Sequence, residues 1–200
     1  MEYPQNPRIK SVAVRMVSDM QFNQTKSGRA QVLESGPETL ALTVNYNRGT
    51  LTDDYEMRPL WAFLNRCRGQ FNAFDFAVRQ WFHGTGTPAP AGTVEVDASA
   101  GLDVKLMGLP AAKTIRLAGD LIQFANSPRA YVLAQDLNTS AAGKATARLC
   151  SPLLSPVPVG TAVNIDVITL RMRLDKNTAE MALNPAGIHS IKSIGLIESI

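Results

Sequence analysis

The sequence predicts a mainly β protein, in which a β-sandwich domain with one packed helix holds an inserted small β-barrel or sandwich domain. Near both ends of the chain, apolar residues alternate with other residues. This period of two is typical of strands with one buried face. Between residues 93 and 168, short apolar runs are separated by turn-forming residues. Their spacing of roughly 8 to 12 residues is typical of small sandwiches and barrels.

The N-terminal segment is predicted to supply strands of the sandwich domain. Val12, Val14 and Met16 alternate along a first strand, which should place one face of it on a core. A second alternating strand runs from Leu40 to Tyr46. The polar stretch 23–29 between them contains Lys, Ser and Gly, and it predicts a turn or mobile loop.

One amphipathic helix is predicted near residues 58–68. Pro59 lacks the backbone N–H that a helix interior needs, so the regular helix should begin near Arg58 with Pro59 in its first turn. Gly69 is placed to end the helix. The apolar residues of the helix recur at spacings of three and four, as one buried stripe requires. They are Met57, Leu60, Trp61, Leu64 and Cys67.

A Gly/Pro-rich segment at 83–92 marks the predicted domain boundary. We therefore assign residues 1–91 plus 169–200 to the sandwich domain, and residues 92–168 to the inserted β-domain. After the insertion, Leu170, Met172 and Leu174 alternate, and the run Ile188–Ile200 is predicted to be a strand that completes the sheet begun at the N-terminus. An edge this rich in Ile and Leu is prone to aggregate when it is unpaired, so a neighbouring subunit is expected to cover it.

Composition limits the classes of function. The 200 residues are 45% hydrophobic with a net charge of +3, and the basic residues are spread along the chain rather than clustered, so no nucleic-acid partner is predicted. No stretch has the length and hydropathy of a membrane span, and the first residues lack the apolar core of a signal peptide. Synthesis in the cytosol is expected, with Cys67 and Cys150 reduced and buried.

The sequence offers few groups for catalysis. His83 and His189 are the two histidines, and each is better explained as structural or surface-exposed than as catalytic. The Cys and His residues lack the close pairs that zinc sites use. The start of a dinucleotide fingerprint at 84–86 is followed by Pro88 and Pro90, which prevent the helix that the fingerprint needs. We predict no enzyme activity, no cofactor and no metal.

Aromatic residues suggest two kinds of contact. Trp81 and Phe82, beside the Gly/Pro-rich boundary, are candidates for an interface with a neighbouring protein. Trp81 and Tyr131 are candidates for stacking against a sugar ring, because the apolar face and polar tip of such residues suit carbohydrate. A carbohydrate-binding module in the inserted domain is therefore the alternative hypothesis.

Several segments resemble a known family. Leu60–Leu64 followed by Arg68–Phe74 resembles the helix, Gly-containing turn and strand of the distal tail and minor tail proteins of long-tailed bacteriophages. Gly119–Phe124 with Ala130–Leu133 is similar to a hairpin common in the inserted domains of these proteins, and Pro185–Ile200 resembles their terminal strand. The likeness also includes short segments at 142–147 and 151–154.

The resemblance implies a structural protein of the virion, made in the host cytoplasm and without membrane insertion. Its belt domain would form a ring of copies of itself, commonly sixfold, that joins the tail tube to tip or hub proteins. The insertion would dock tail fibres or, in some relatives, bind host sugars. Ring assembly adds interface candidates from the closing strand to Trp81 and Phe82. These are Ile188, Ile191, Ile194, Leu196 and Ile197.

Overall fold

A computed structural model shows that the chain is mainly β, with several antiparallel sheets. Its contacts divide the chain into two compact units. The first unit combines Met1–Asp75 with Arg171–Ile200, and the second unit spans Phe76–Leu170. The structure describes residues 1, 3–4, 9–18, 20–24, 28, 30–34, 38–46, 54–78, 95–166, 168–177, 180, 182–183, 189–191 and 193–199.

The described residues form seventeen strands and one helix. In chain order these are β1 (Ile9–Val17), β2 (Met20–Gln24), β3 (Ala30–Glu34), β4 (Thr39–Tyr46), α1 (Asp54–Cys67), β5 (Phe74–Ala77), β6 (Glu95–Ala100), β7 (Asp103–Met107), β8 (Thr114–Arg116), β9 (Leu121–Phe124), β10 (Ala130–Val132), β11 (Leu137–Asn138), β12 (Ala145–Arg148), β13 (Val163–Asn164), β14 (Thr169–Leu174), β15 (Ala182–Leu183), β16 (His189–Ser190) and β17 (Ser193–Glu198).

Five of these strands make one sheet in the order β1-β4-β17-β14-β5. The alternation predicted for the second strand is confirmed, since Leu40, Leu42 and Val44 of β4 are buried. The alternating residues of β14 are buried in the same way. β17 pairs with β4, so the closing strand completes the sheet begun near the N-terminus, as predicted. It begins at Ser193 rather than Ile188, because His189 and Ser190 form β16, which pairs with β15.

The helix α1 begins earlier than predicted. It starts at Asp54 rather than near Arg58, and Pro59 lies in its interior rather than in its first turn. A proline in a helix interior removes one backbone hydrogen bond and costs roughly 3 kcal/mol. The longer helix, however, places Met57 in the core beside Leu60 and Leu64. Burial of a Met side chain contributes roughly 1.5–3 kcal/mol, which offsets much of the proline cost.

The N-terminal residues cover the free side of β5. Tyr3 N–H donates to Asp75 O (3.1 Å), and Asp75 N–H donates to Met1 O (2.9 Å). Both backbone groups of a strand residue point to the same side, so Met1 and Tyr3 bind the outer side of β5 at Asp75. The Tyr3 ring is buried against Phe63 and Phe74, and its hydroxyl is hydrogen-bonded to that of Tyr46.

This phenol pair predicts a loss of stability at alkaline pH. Burial raises the pKa of Tyr3 well above the ordinary 10.0, and burial together with the nearby Tyr3 does the same to the pKa of Tyr46. The folded protein therefore keeps two protons that the unfolded chain releases above about pH 10, so the free energy of unfolding falls as pH rises beyond that value. Each proton contributes about 1.4 kcal/mol per pH unit.

Urea unfolding between about pH 8 and pH 12 tests this prediction. The double variant Tyr3→Phe/Tyr46→Phe should lose stability less steeply above about pH 10 than the unchanged protein. Burial also raises the pKa of Cys67, from 9.0 to about 11, and this contribution is common to both proteins. Equal pH slopes for the two proteins would contradict the assignment of the titration to the phenol pair.

The second unit is built from strands that close on themselves. Two three-stranded sheets have the orders β10-β9-β13 and β12-β7-β6. A bridge between Leu133 and Leu149 joins the β10 side to the β12 side, and a bridge between Glu95 and Ala162 joins β6 to the β13 side. Six strands therefore follow one another around a small barrel, and closure protects their edges from pairing with other chains.

The predicted series of short strands is confirmed in this barrel. β9 and β10 lie within the segments Gly119–Phe124 and Ala130–Leu133, which were matched to a hairpin, and they pair with each other. The barrel interior is a continuous cluster of aliphatic and aromatic side chains, including Leu106, Ile122 and Phe124. This core lies inside the second unit, so the unit has its own apolar interior.

The second unit of the structure begins at Phe76, whereas the sequence predicts a boundary at Gly92, which lies outside the described residues. Val78 N–H donates to Ile168 O (3.0 Å), and this bond ties the chain after β5 to the end of the second unit. Both cysteines are unpaired, as expected, but Cys150 is exposed rather than buried. Buried and exposed residues alternate along β12 and beyond it, and Leu149 and Ser151 are buried, so Cys150 between them is exposed.

Candidate assembly surface

Among the described strands, β1 is an open edge of the five-stranded sheet. Its inner side pairs with β4 over nearly its full length, and no described strand pairs with its outer side. The opposite edge of the sheet, at β5, is covered by Met1–Tyr3. An outer row of N–H and C=O groups on a nine-residue strand is a template for another strand.

The face of β1 that continues the core is also uncovered. The register places Val14 opposite Leu42 and Met16 opposite Leu40, so these side chains share a face with buried residues of β4. Val14 and Met16 are nevertheless each 41% exposed. The strand itself was predicted correctly, but the prediction that this face of β1 lies on a core is wrong. The apolar layer continues one strand beyond the part that the subunit buries.

Charge on β1 is of one sign. Lys10 and Arg15 lie on the strand, and Ile9–Val17 contains no acidic residue. Arg15 is 3.6 Å from the carboxylate of Asp175, but its side chain is largely exposed, and ion pairs of this kind contribute little. We call β1, with the backbone groups of its outer side, the β1 edge. The longer side chains that it presents on the two faces of the sheet are Lys10, Val12, Val14, Arg15, Met16 and Val17.

β2 and β3 form a separate two-stranded hairpin beyond the end of β1. Phe22 lies opposite Val32 in its register, and among the described residues no third strand joins it. At its base, the Ser18 hydroxyl donates to the carboxylate of Glu38 (3.2 Å). Asn23 and Gln24 of the predicted loop at 23–29 belong to β2, and residues 25–27 and 29 lie outside the described part of the chain. A two-stranded ribbon in water is only marginally stable without further packing.

The closing strand does not provide the predicted open edge. β17 lies inside the sheet, with β4 on one side and β14 on the other, so the expectation that a neighbour covers it is wrong. Ile191, Ile194 and Leu196 are buried inside the subunit, and Ile197 is half-buried. Ile188 lies outside the described residues. The strand is rich in Ile and Leu because its own chain pairs it on both sides.

The aromatic candidates have different outcomes. Tyr131 is buried, its hydroxyl accepts a hydrogen bond from Leu154 N–H (3.3 Å), and the guanidinium of Arg129 lies 5.0 Å from its ring centroid. The prediction that Tyr131 stacks on a sugar is therefore wrong, because its ring is not accessible. Trp81 and Phe82 lie outside the described residues.

An open groove of about 610 Å³ lies on the second unit. An ion pair between Lys144 and Asp97 (2.9 Å) crosses part of it. The lining is polar and charged, and it includes no aromatic side chain that could stack on a sugar ring. The lining residues are Asp97, Lys105, Gln135, Asp136, Asn138, Ser140, Lys144, Ala145 and Thr146.

Within the described part of the chain, no three His, Cys, Asp or Glu residues group as metal ligands would. His83 lies outside this part, and His189 is placed by its backbone in β16. In the described part of the chain, no helix is long and apolar enough to cross a membrane.

Models of known protein families and curated proteins give no match to this chain.

Proposed function

We propose that this chain is a non-enzymatic structural subunit of a bacteriophage tail, which assembles with copies of itself into a ring near the tail tip. The observation that carries the proposal is the β1 edge, where Val14 and Met16 are exposed on an unpaired strand. Elsewhere, the edge at β5 is covered by the chain itself, and the strands of the second unit close on themselves.

A subunit with one such edge is suited to association with other chains rather than to the monomeric state. Soluble monomers protect their edge strands with short length, charges or covering segments. Lys10 and Arg15 give β1 some protection, but its nine residues and its apolar face remain available. A closed ring gives every copy the same neighbour, so no edge is left open in the assembly.

The resemblance supplies the place of this ring in the virion. The first unit would form the ring between the tail tube and the tip or hub proteins. The second unit, with a separate core, would dock tail fibres. Its polar groove supports a docking function without catalysis, since its lining offers hydrogen-bonding and charged groups.

Light scattering across a concentration series, followed by electron microscopy, tests the proposal. The unchanged protein should have a mass several times the 21.6 kDa of one chain, and its particles should be rings. The variant Val14→Lys/Met16→Lys should remain a monomer, because it places two cations on the apolar face of the β1 edge. We expect at least a tenfold weaker association, which corresponds to about 1.4 kcal/mol or more.

Val159→Lys is the matched control. Val159 is an exposed valine of the second unit, so its replacement should leave the mass unchanged. A monomeric natural protein that also fails to assemble on purified tail tubes would overturn the proposal. Rings that persist unchanged in the β1 variant would show that assembly uses another surface.

A further inference from the structure

We propose that the β2–β3 hairpin of one copy adds to the β1 edge of the next copy. This inference rests on the proposed self-assembly and names the surfaces that meet. It joins two features that lack a strand partner among the described residues, a long open edge and an isolated ribbon. Strand addition would give hydrogen bonds to the outer backbone groups of β1 and would cover its apolar face.

Among the described residues, the hairpin makes no strand pair with β1 of its own subunit. β2 follows β1 in the chain and pairs with β3, so the hairpin follows the Val17–Thr39 end of the β1–β4 pair. The bond between Ser18 and Glu38 holds the two sides of its base together. To lie beside its own β1, the ribbon would have to reverse direction at this base. It is therefore placed to reach another molecule.

The other edges in the described residues are poor partners for β1. Met1 and Tyr3 bind Asp75 on the side of β5 at which a neighbour's β1 would have to bind. The barrel strands of the second unit are linked in a circle. β15 and β16 are two residues long, as is β11, so these ribbons present little edge. β2 and β3 each have five residues.

Symmetry favours the hairpin over a second β1. Pairing of β1 with a second β1 would be isologous and would stop at a dimer. Hairpin and edge are different surfaces, so their contact is heterologous, and a heterologous contact can close into a ring. Charge does not decide between the two partners, because Glu34 lies on β3 but Lys26 and Arg29 lie between β2 and β3 in the sequence.

A complementation experiment tests the inference. In the first variant, residues 19–37 are replaced by Asn-Gly, which removes the hairpin but leaves the β1 edge. Val17 pairs with Thr39 and Ser18 bonds to Glu38, so a two-residue hairpin loop fits this gap. The second variant is Val14→Lys/Met16→Lys, which keeps the hairpin but blocks the edge.

Each variant alone should be a monomer, and their mixture should form a one-to-one pair that grows no further. The hairpin of the second variant can bind the edge of the first. The pair then has no free hairpin and no usable β1 edge, so no third molecule can add to it. Circular dichroism checks that both variants fold. Phe22→Asp, a single substitution in β2, serves as a second hairpin variant. Alone it should be a monomer, and it should pair with the edge variant as the first variant does, because its β1 edge is unchanged.

Two results would overturn the inference. If the variant without the hairpin still forms rings, the hairpin is not the occupant of the β1 edge, while the proposed ring-forming function stands. If both variants fold but their mixture remains monomeric, strand addition between copies is excluded. A natural protein that is monomeric and also fails on tail tubes would instead overturn the proposed function itself.

Discussion

Gly143→Ala should unfold the second unit or leave it with much reduced stability. Gly143 lies in the turn before β12 with φ +67, and a Cβ atom there would be 2.4 Å from Leu109 O. That oxygen belongs to the backbone, and Leu109 N–H donates to Gly143 O (3.1 Å), so the two segments cannot separate without losing this bond. The left-handed backbone alone costs an alanine about 1–2 kcal/mol, and the collision should raise the total to about 3 kcal/mol or more.

Gly101→Ala separates the two causes. Gly101 has φ +59, close to that of Gly143, but a Cβ atom there would meet nothing within 4 Å. It should therefore lose only the backbone cost of about 1–2 kcal/mol. Denaturant unfolding of both variants measures the difference. Equal losses at the two glycines would show that the Leu109 carbonyl yields easily and that the collision contributes nothing.

Much of the fold could be predicted from local patterns. The alternation in β4 and β14 and the stripe of α1 depend on one face being buried, and a sequence records that directly. The start of α1 was harder to predict, because the low helix propensity of Pro59 does not take account of the burial of Met57. Tertiary packing decided where the helix starts.

The candidate surface was harder to predict because edges are a property of topology. β1 and β17 both have strand patterns, and the sequence does not state which of them has a neighbour on each side. The apolar richness of β17 suggested an open edge, whereas it reflects pairing on both sides. One local signal did exist: Lys10 and Arg15 interrupt β1, and lysine and other charges are typical of natural edge strands.

The burial of polar side chains also could not be predicted from the sequence. Arginine is mostly exposed in proteins, so nothing in the pattern around β8 singles out Arg116. It is nonetheless the largest of the fully buried side chains, with only 1% of it exposed. Its Nε donates to Ile165 O (2.8 Å), and its Nη1 donates to Ile115 O (2.6 Å). The guanidinium therefore links the backbone after β13 to that of β8.

Arg116→Met should cost the second unit about 3 kcal/mol. Methionine keeps an unbranched stem of similar width, so the change mainly removes the donors to Ile115 O and Ile165 O. A buried acceptor left without a partner costs about 1–3 kcal/mol, and two such acceptors are affected. Chemical denaturation followed by fluorescence or circular dichroism measures the loss.

Two control variants identify the source of that loss. Arg148→Met removes an exposed arginine that is 3.5 Å from Asp103, and a surface pair of this kind should contribute less than about 1 kcal/mol. Asp166→Asn removes the carboxylate 3.5 Å from Nη2 of Arg116 but leaves both carbonyl bonds intact. Because 55% of the Asp166 side chain is exposed, its loss should also be small. If Asp166→Asn destabilised the protein as much as Arg116→Met, the ion pair rather than the two carbonyl bonds would hold the guanidinium in the core.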